Sequence, residues 1–374
     1  MSEPLFLRSI DRPVLLLDEQ RCKGNIQRMV DKCARLGISF RPHFKTHQSR
    51  VVGSWFREQG VQSIAVSSLY MAEYFAAAGW KDITVAVPVN LRAISRIRYL
   101  ASVVRLNLLV ESVEAVEALD NSLEGLSLEL FIKIDAGYGR TGINHKELSA
   151  IRDLMSRIDA AKHLDFAGFL AHSGHAYYAT DKSAVEAVNE RANEAYRELK
   201  QHFPGTIISS GDTPTASVCN DFAEVSELRP GNFVFYDLDQ HVRGVCDVEE
   251  IAVLMACPVL ALHADRNEVI VHGGAVHFCK DSVEDADGRC FGWTVDWTDS
   301  GWDSSVNRGR LVKLSQEHGT IHFAGGIPED LRVGDLLGVL PVHSCMTADS
   351  MRVYRSLDGN YLDHAGKPGQ GGLA

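Results

Sequence analysis

From Arg12 to about Val245 the chain alternates a short β-branched or Leu-rich run with a longer amphipathic segment, the grammar of parallel strands joined by helical crossovers. The apolar runs are Val14 to Leu17, Ile38 to Phe44, Ile64 to Val66, Ile83 to Val87, Leu106 to Val110, Leu128 to Ile134, Phe166 to Ala171, Ile207 to Ser209 and Val225 to Leu228. They make nine candidates where a closed (β/α)8 barrel takes eight, so one belongs elsewhere or is not a strand. Helical periodicity is clearest from Ser183 to His202 and from Leu69 to Ala78, with Gly79 as a C′ residue. The even spacing favours an α/β fold built on a TIM-like barrel over an open doubly wound sheet. After Cys246 the pattern changes to short alternating runs: Val253 to Leu262, Val269 to Val271, Leu311 to Leu314, Leu336 to Val342 and Met351 to Tyr354. The expected division is a barrel over 12–245 and a β-rich second domain over 246–374 with 1–11; the Gly-rich tail from Gly366 to Ala374 is expected to fray.

Composition narrows the partners. The chain's 374 residues are 45% hydrophobic, enough for more than one core. A formal charge of −11 argues against a phosphate-backbone binder, so no nucleic acid is expected. No apolar run reaches about 18 residues and no basic-then-apolar leader is readable, which makes the expected location cytoplasmic, with no membrane partner. Eight cysteines without CxxC spacing read as mostly buried thiols. Trp293, Trp297 and Trp302, set among Asp296, Asp299 and Asp303, read as packing or a subunit contact rather than base stacking.

Five segments could carry chemistry. In Arg41-Pro42-His43-Phe44-Lys45-Thr46-His47, strand alternation would place Arg41, His43, Lys45 and His47 on one inward face. A lysine partly desolvated there, beside other cations, could be a neutral amine and form a Schiff base; a solvated basic turn is the plainer reading. Asp135-Ala136-Gly137-Tyr138-Gly139-Arg140-Thr141-Gly142 brings backbone close to a barrel mouth, with Arg140 as a donor fork, and lacks the order of a dinucleotide loop. His172, at a strand's C-terminal end, could stack on an aromatic ring or be a packed core histidine. Ser209 to Thr215, with Pro214 at a helix start, and Arg229-Pro230-Gly231-Asn232 are the two loops that barrels pair into a phosphate site, though Thr213 could serve as a cap alone. In Pro341-Val342-His343-Ser344-Cys345, strand spacing would point imidazole and thiol to one side, a pair that suits Zn²⁺ with positions left open; a buried thiol beside a surface histidine is the alternative.

Together these segments resemble the fold-type III pyridoxal-phosphate enzymes, and within them the metal-dependent D-serine dehydratase and D-threonine aldolase branch, over nearly the whole chain. The R-P-H-x-K-T-H run and the late H-x-C are the most specific parts, whereas G-Y-G-R-x-G and R-P-G-N are shared with alanine racemases. The resemblance implies that pyridoxal 5′-phosphate is held by Lys45, with Arg140 facing its phenolic oxygen and His172 stacked on its ring. Gly211, Thr213, Gly231 and Asn232 would hold the phosphate, and Arg229 sits where alanine racemases place an arginine on the ring nitrogen. His343 and Cys345 would bind the metal, Zn²⁺ or Mn²⁺, and Tyr177 or Tyr178 would border the substrate, a D-amino acid. A homodimer is expected.

The implied reaction is a lyase reaction on a D-3-hydroxy amino acid: elimination to a keto acid and ammonia, or retro-aldol cleavage to glycine and an aldehyde. His-x-Cys favours elimination. A racemase is the first rival, but no segment matches the tyrosine that alanine racemases supply from the second domain. A non-catalytic pyridoxal-phosphate carrier would lack the residues after Cys246, and a plain barrel would leave the five segments without a ligand.

Overall fold

A computed structural model describes residues 6–366 except Ala286, so the tail expected to fray lies almost wholly outside the described residues. Contacts divide the chain into two units, each treated by itself: Arg28–Lys45 with Gly53–Gly231, and the chain up to Gln27 with Thr46–Val52 and everything from Asn232 on.

The first unit is the barrel. Its parallel strands are Ser39–Phe40, Ser63–Val66, Asp82–Pro88, Arg105–Val110, Leu128–Asp135, Leu164–Leu170, Ile208–Ser210 and Glu227–Leu228, and from Ser63–Val66 onwards each is paired with the next. Glu227–Leu228 returns to Ser39–Phe40, and an isolated bridge from His43 to Ala65 closes the ring. Long helices lie between them. Lys182–His202 starts at an N-cap, Asp181, that accepts from the Ala184 N–H, and Leu69–Ala77 ends before Gly79, whose φ of +90° only glycine adopts readily. The ninth candidate, Val14–Leu17, is a real strand in the other unit: it pairs antiparallel with Val253–Ala256 and parallel with Arg355–Ser356. Its continuous burial looks the same from sequence in either sheet.

Polar side chains fill the barrel's lower interior. Arg41 is buried and donates to Glu227 (2.7 Å) and Asp82 (2.5 Å). The other oxygen of Glu227 accepts from Ser209 (2.6 Å), and Ser209 Oγ in turn accepts from Arg229 Nε at 2.6 Å. Apolar packing against the strands includes Phe44, whose ring meets Phe56, Phe75 and Trp80 at 5.0 to 5.1 Å.

The second unit is an antiparallel sheet in which Val253–His263 is central, flanked by Val14–Leu17 and Leu336–Pro341. Residues 12–27, 46–52 and 232–245, expected with the barrel, group here by contacts. Trp297 and Trp302 face each other across a hairpin, and the Trp297 indole donates to Leu336 O at 2.9 Å. The expected strand at Met351 to Tyr354 is instead the end of a helix, Ser344–Met351, followed by the strand Tyr354–Ser356. None of the eight cysteines is in a disulfide, and only Cys279 and Cys345 are not buried. No helix among the described residues is long and apolar enough to cross a membrane.

Arg41 is buried between two carboxylates. Arg41→Ala leaves buried Glu227 without its ion-pair partner and Asp82 with only the exposed Arg105 at 3.5 Å for an ion pair, so urea unfolding should show a loss of about 3 kcal/mol or more, against less than about 1 kcal/mol for the exposed pair partner Arg157→Ala.

Candidate functional site

The lysine segment departs from its expected geometry. The strand stops at Phe40 and residues 44–47 form a turn, so alternation does not carry through it: His43 is half-buried, His47 fully buried and Lys45 exposed rather than desolvated. His43 Nδ1 accepts the backbone N–H of Lys45 at 3.3 Å, which fixes the turn at the barrel's C-terminal end. From there the ammonium of Lys45 acts on His172, as do Arg140 and Arg229.

His172 follows the end of the Leu164–Leu170 strand and is half-buried. Burial, reinforced by the three cations, pushes its pKa down to about 3. The ring is therefore neutral at ordinary pH, with its Nδ1–H donated to Gly211 O and Nε2 unprotonated. Tyr138 meets it edge-on at 5.8 Å, and the Arg140 guanidinium lies 5.1 Å above the Tyr138 ring. The loop carrying both is tied down by Asp135, whose carboxylate accepts from the N–H groups of Gly137 (2.9 Å), Tyr138 (2.8 Å) and Gly139 (3.0 Å). Those bonds outweigh burial and hold its pKa below the usual range. At Gly142 a Cβ would lie 2.7 Å from the backbone of Ile134 and Asp135, so no side chain fits.

The two expected phosphate loops meet. Gly231 N–H donates to Thr213 Oγ1 at 3.3 Å, and a Cβ on Gly211 would lie 2.7 Å from the Arg229 carbonyl. Thr213 N–H donates to the Tyr177 hydroxyl at 3.1 Å, while Asp212 caps the Thr213–Val218 helix through Thr215. Tyr178, the next residue, is exposed and hydrogen-bonds Tyr138. Arg229, fully buried, is pinned by Ala171 O (2.5 Å) as well as Ser209, and burial lowers its pKa only to about 10. Sequence reasoning missed Lys133, which is 5% exposed with its amine on Ile134 O; burial, then Arg229, pushes its pKa down to about 8. Its signal was a cation in an otherwise apolar run, sharing a strand face with Phe131. A neutral flat ring, three cations and two glycine-tight loops fit an anionic aromatic phosphate.

Asn232 falls in the second unit, and its side chain goes to a different cluster there. Its amide donates to Asp237 (2.8 Å), Ser344 (2.9 Å) and Cys345 Sγ (3.4 Å). The pair expected on a strand is arranged otherwise: the strand ends at Pro341, His343 is an N-cap, and Cys345 is in the helix's first turn. The helical turn still brings the two together, and Cys345 Sγ also meets Thr46 Oγ1 at 3.2 Å. Asp237 is fully buried, accepts from Ser344 N–H at 3.0 Å, and has its pKa raised by burial. Desolvation opposes protonation of His343, but Cys345, Asp237 and Asp281 together raise its pKa to about 10. Imidazole and thiol among hydrogen-bond donors and carboxylates fit a borderline-soft divalent cation.

A second trio, His272, His277 and Glu317, also clusters in this unit. There the Gly274 N–H donates to His277 Nδ1, so the ring is neutral with its proton on Nε2, which faces Glu317 at 4.0 Å, and neither ring nitrogen is left open as a ligand.

A family model described as the alanine racemase N-terminal domain matches residues 17–239, more than half of the chain. The chain belongs to this alanine racemase-like family. In this family member a second model, a putative serine dehydratase domain, matches residues 252–357. A D-threo-3-hydroxyaspartate dehydratase from Delftia sp. is 31% identical, over 94% of this chain and 95% of its own length. Its solved structure superposes with a TM-score of 0.88 at 27% identity, covering 98% of this chain and 100% of that one. Structures also exist of that enzyme with a histidine, or a cysteine two positions on, replaced by alanine, the latter in a metal-free form. A D-serine dehydratase from Dictyostelium discoideum is 27% identical over 97% of each chain. D-threonine aldolase from Filomicrobium marinum, at 19% identity and a TM-score of 0.82 over 97% of this chain and 96% of its own, shares the fold.

Burial holds His172 and His364 neutral, at about 3 and about 4. Unfolded, each takes a proton near pH 6.5, so the unfolded chain binds more protons below that value and stability falls as pH drops from about 6.5 towards 4. Urea midpoints between pH 7 and 4 should show this slope, and His172→Gln should flatten it; an unchanged slope would count against a buried neutral His172.

Proposed function

We propose that this chain is a pyridoxal-phosphate- and metal-dependent lyase that eliminates water from D-3-hydroxy amino acids, giving a keto acid and ammonia. When bound, the cofactor supplies an electron sink for the Cα carbanion and the divalent ion a Lewis acid for the departing hydroxyl. Lys45 would carry the cofactor and then hold the proton taken from Cα. Arg229, charged and pinned by Ser209 and Ala171, would contact the ring nitrogen, and neutral His172 would offer a flat face without competing charge. Gly211, Thr213 and Gly231 would take the phosphate, with Asn232 contributing backbone only, since its side-chain amide serves Asp237, Ser344 and Cys345. Arg140, on its Asp135-anchored loop, would face the phenolic oxygen, and Tyr177 and Tyr178 would line the approach of the substrate.

The observation that carries the reading is the His343–Cys345 pair, with its sulfur hydrogen-bonded by Thr46 and Asn232: a racemase has no leaving hydroxyl for such a pair to serve. Thiolate softness favours Zn²⁺ over Mn²⁺. Retro-aldol cleavage is the second reading, because it uses the same donors and differs in whether the hydroxyl leaves or loses its proton.

The assay offers D-serine, D-threonine and D-3-hydroxyaspartate with Zn²⁺, with Mn²⁺ and with chelator. Keto acid and ammonia, lost on chelation, are expected; glycine with an aldehyde, or the L-enantiomer alone, overturns elimination. Lys45→Ala should lose the cofactor's visible absorbance and at least about a hundredfold in turnover.

A further inference from the structure

A metal donor at a helix start needs something to fix its ring, and for His343 packing does not do it. His343 is the N-cap of its helix and is not covered by packing: 39% of its side chain is exposed. Its Nδ1 lies 2.5 Å from Asp281 Oδ2. A carboxylate can only accept, so Nδ1 carries a proton in either charge state of the ring, and Nε2 is the nitrogen that would give up its proton to bind a metal. Asp281 is itself placed by the backbone before it. The Ala275–Phe278 helix ends at Cys279 with φ of +66°, Thr347 Oγ1 from the Ser344–Met351 helix donates to Phe278 O at 3.1 Å, and the Cys279 thiol hydrogen-bonds Asp281. The segment that presents Asp281 is thus tied to the helix that presents His343 and Cys345.

We infer that Asp281 is the positioning residue of the metal centre, holding His343 in the Nδ1–H tautomer with Nε2 aimed at the ion shared with Cys345. The inference rests on reading His343 and Cys345 as ligands. A plain exposed ion pair between Asp281 and His343 would contribute little to anything. A carboxylate behind a ligating imidazole instead sets ring orientation and basicity, and its loss lowers metal affinity about 10- to 100-fold.

The test is zinc competition with a chromophoric chelator on the full-length protein, read beside thermal unfolding of the zinc-stripped protein. Asp281→Ala should weaken zinc binding about 10- to 100-fold while leaving the melting temperature of the stripped protein unchanged, and Asp281→Asn, which keeps an acceptor oxygen, should recover most of the affinity. Zinc affinity unchanged in Asp281→Ala, while His343→Ala and Cys345→Ala lose it, overturns the positioning role alone. Zinc binding intact in His343→Ala and Cys345→Ala overturns the ligand reading beneath it. Complete loss in both Asp281→Ala and Asp281→Asn, matching Cys345→Ala, also overturns the inference, because Asp281 would then be a ligand.

Discussion

A guanidinium inside a barrel has to be satisfied on every side, and Arg229 is where this structure meets that demand. It is fully buried, yet its Nε and Nη2 reach Ser209 Oγ, Ser209 O and Ala171 O, and Ser209 leads through Glu227 to Arg41 and Asp82. One polar chain therefore links the ends of the strands Asp82–Pro88, Leu164–Leu170, Ile208–Ser210 and Glu227–Leu228 with the loop after Phe40. Removing any interior member leaves a buried charge or dipole unpaired, which costs more than the contact itself contributes. Burial depresses the pKa of both His172 and Lys133, and the same cation adds to the effect. Structural rigidity and the electrostatics of the barrel mouth have one origin.

The second unit solves a different problem, keeping a thiol and an imidazole available. Six of the eight cysteines are buried, and most of those have pKa values raised by burial, as Cys33 and Cys257 do. Cys345 differs: half-exposed in the first turn of a helix, it has Thr46 and Asn232 hydrogen-bonded to its sulfur. Donors on sulfur and a helix N-terminus both favour the thiolate a metal binds. Asp237, buried beneath, accepts from Ser344 and Asn232 and so fixes the turn that brings His343 to Cys345.

How much of this was legible depended on whether the signal was periodic or local. The barrel strands were readable because their apolar runs recur with helical spacers; Val14–Leu17 was misplaced because a fully buried strand carries no mark of its sheet. The late helix was missed because Ser344-Cys345-Met346-Thr347 has neither an apolar stripe nor a side-chain cap. Lys45, Arg140, His172 and the glycine loops were found as motifs, and the structure brings the barrel members among them together. Lys45 was expected to be desolvated and is exposed, since alternation cannot be extended past Phe40 into a turn. Asp237 and Asp281 are lone acids with no spacing signal; only tertiary contact makes them part of a site.

The two matched domains divide the chemistry as well as the chain. Residues 17–239 contain Lys45, Arg140, His172, Gly211, Thr213, Arg229, Gly231 and Asn232, the set suited to holding a phosphorylated aromatic aldehyde and acidifying Cα. Removing a Cα proton is common to racemases and lyases, so this half alone cannot select between them. Residues 252–357 contain Asp281, His343 and Cys345, side chains whose chemistry suits a cation, and a cation there would stabilise an oxygen that gains negative charge. A racemase creates no such oxygen; a substrate losing or deprotonating a 3-hydroxyl does. On the proposed reading, the selection between reaction classes therefore falls to the second domain, where Cys345 Sγ meets Thr46 Oγ1 at 3.2 Å and accepts from the Asn232 amide.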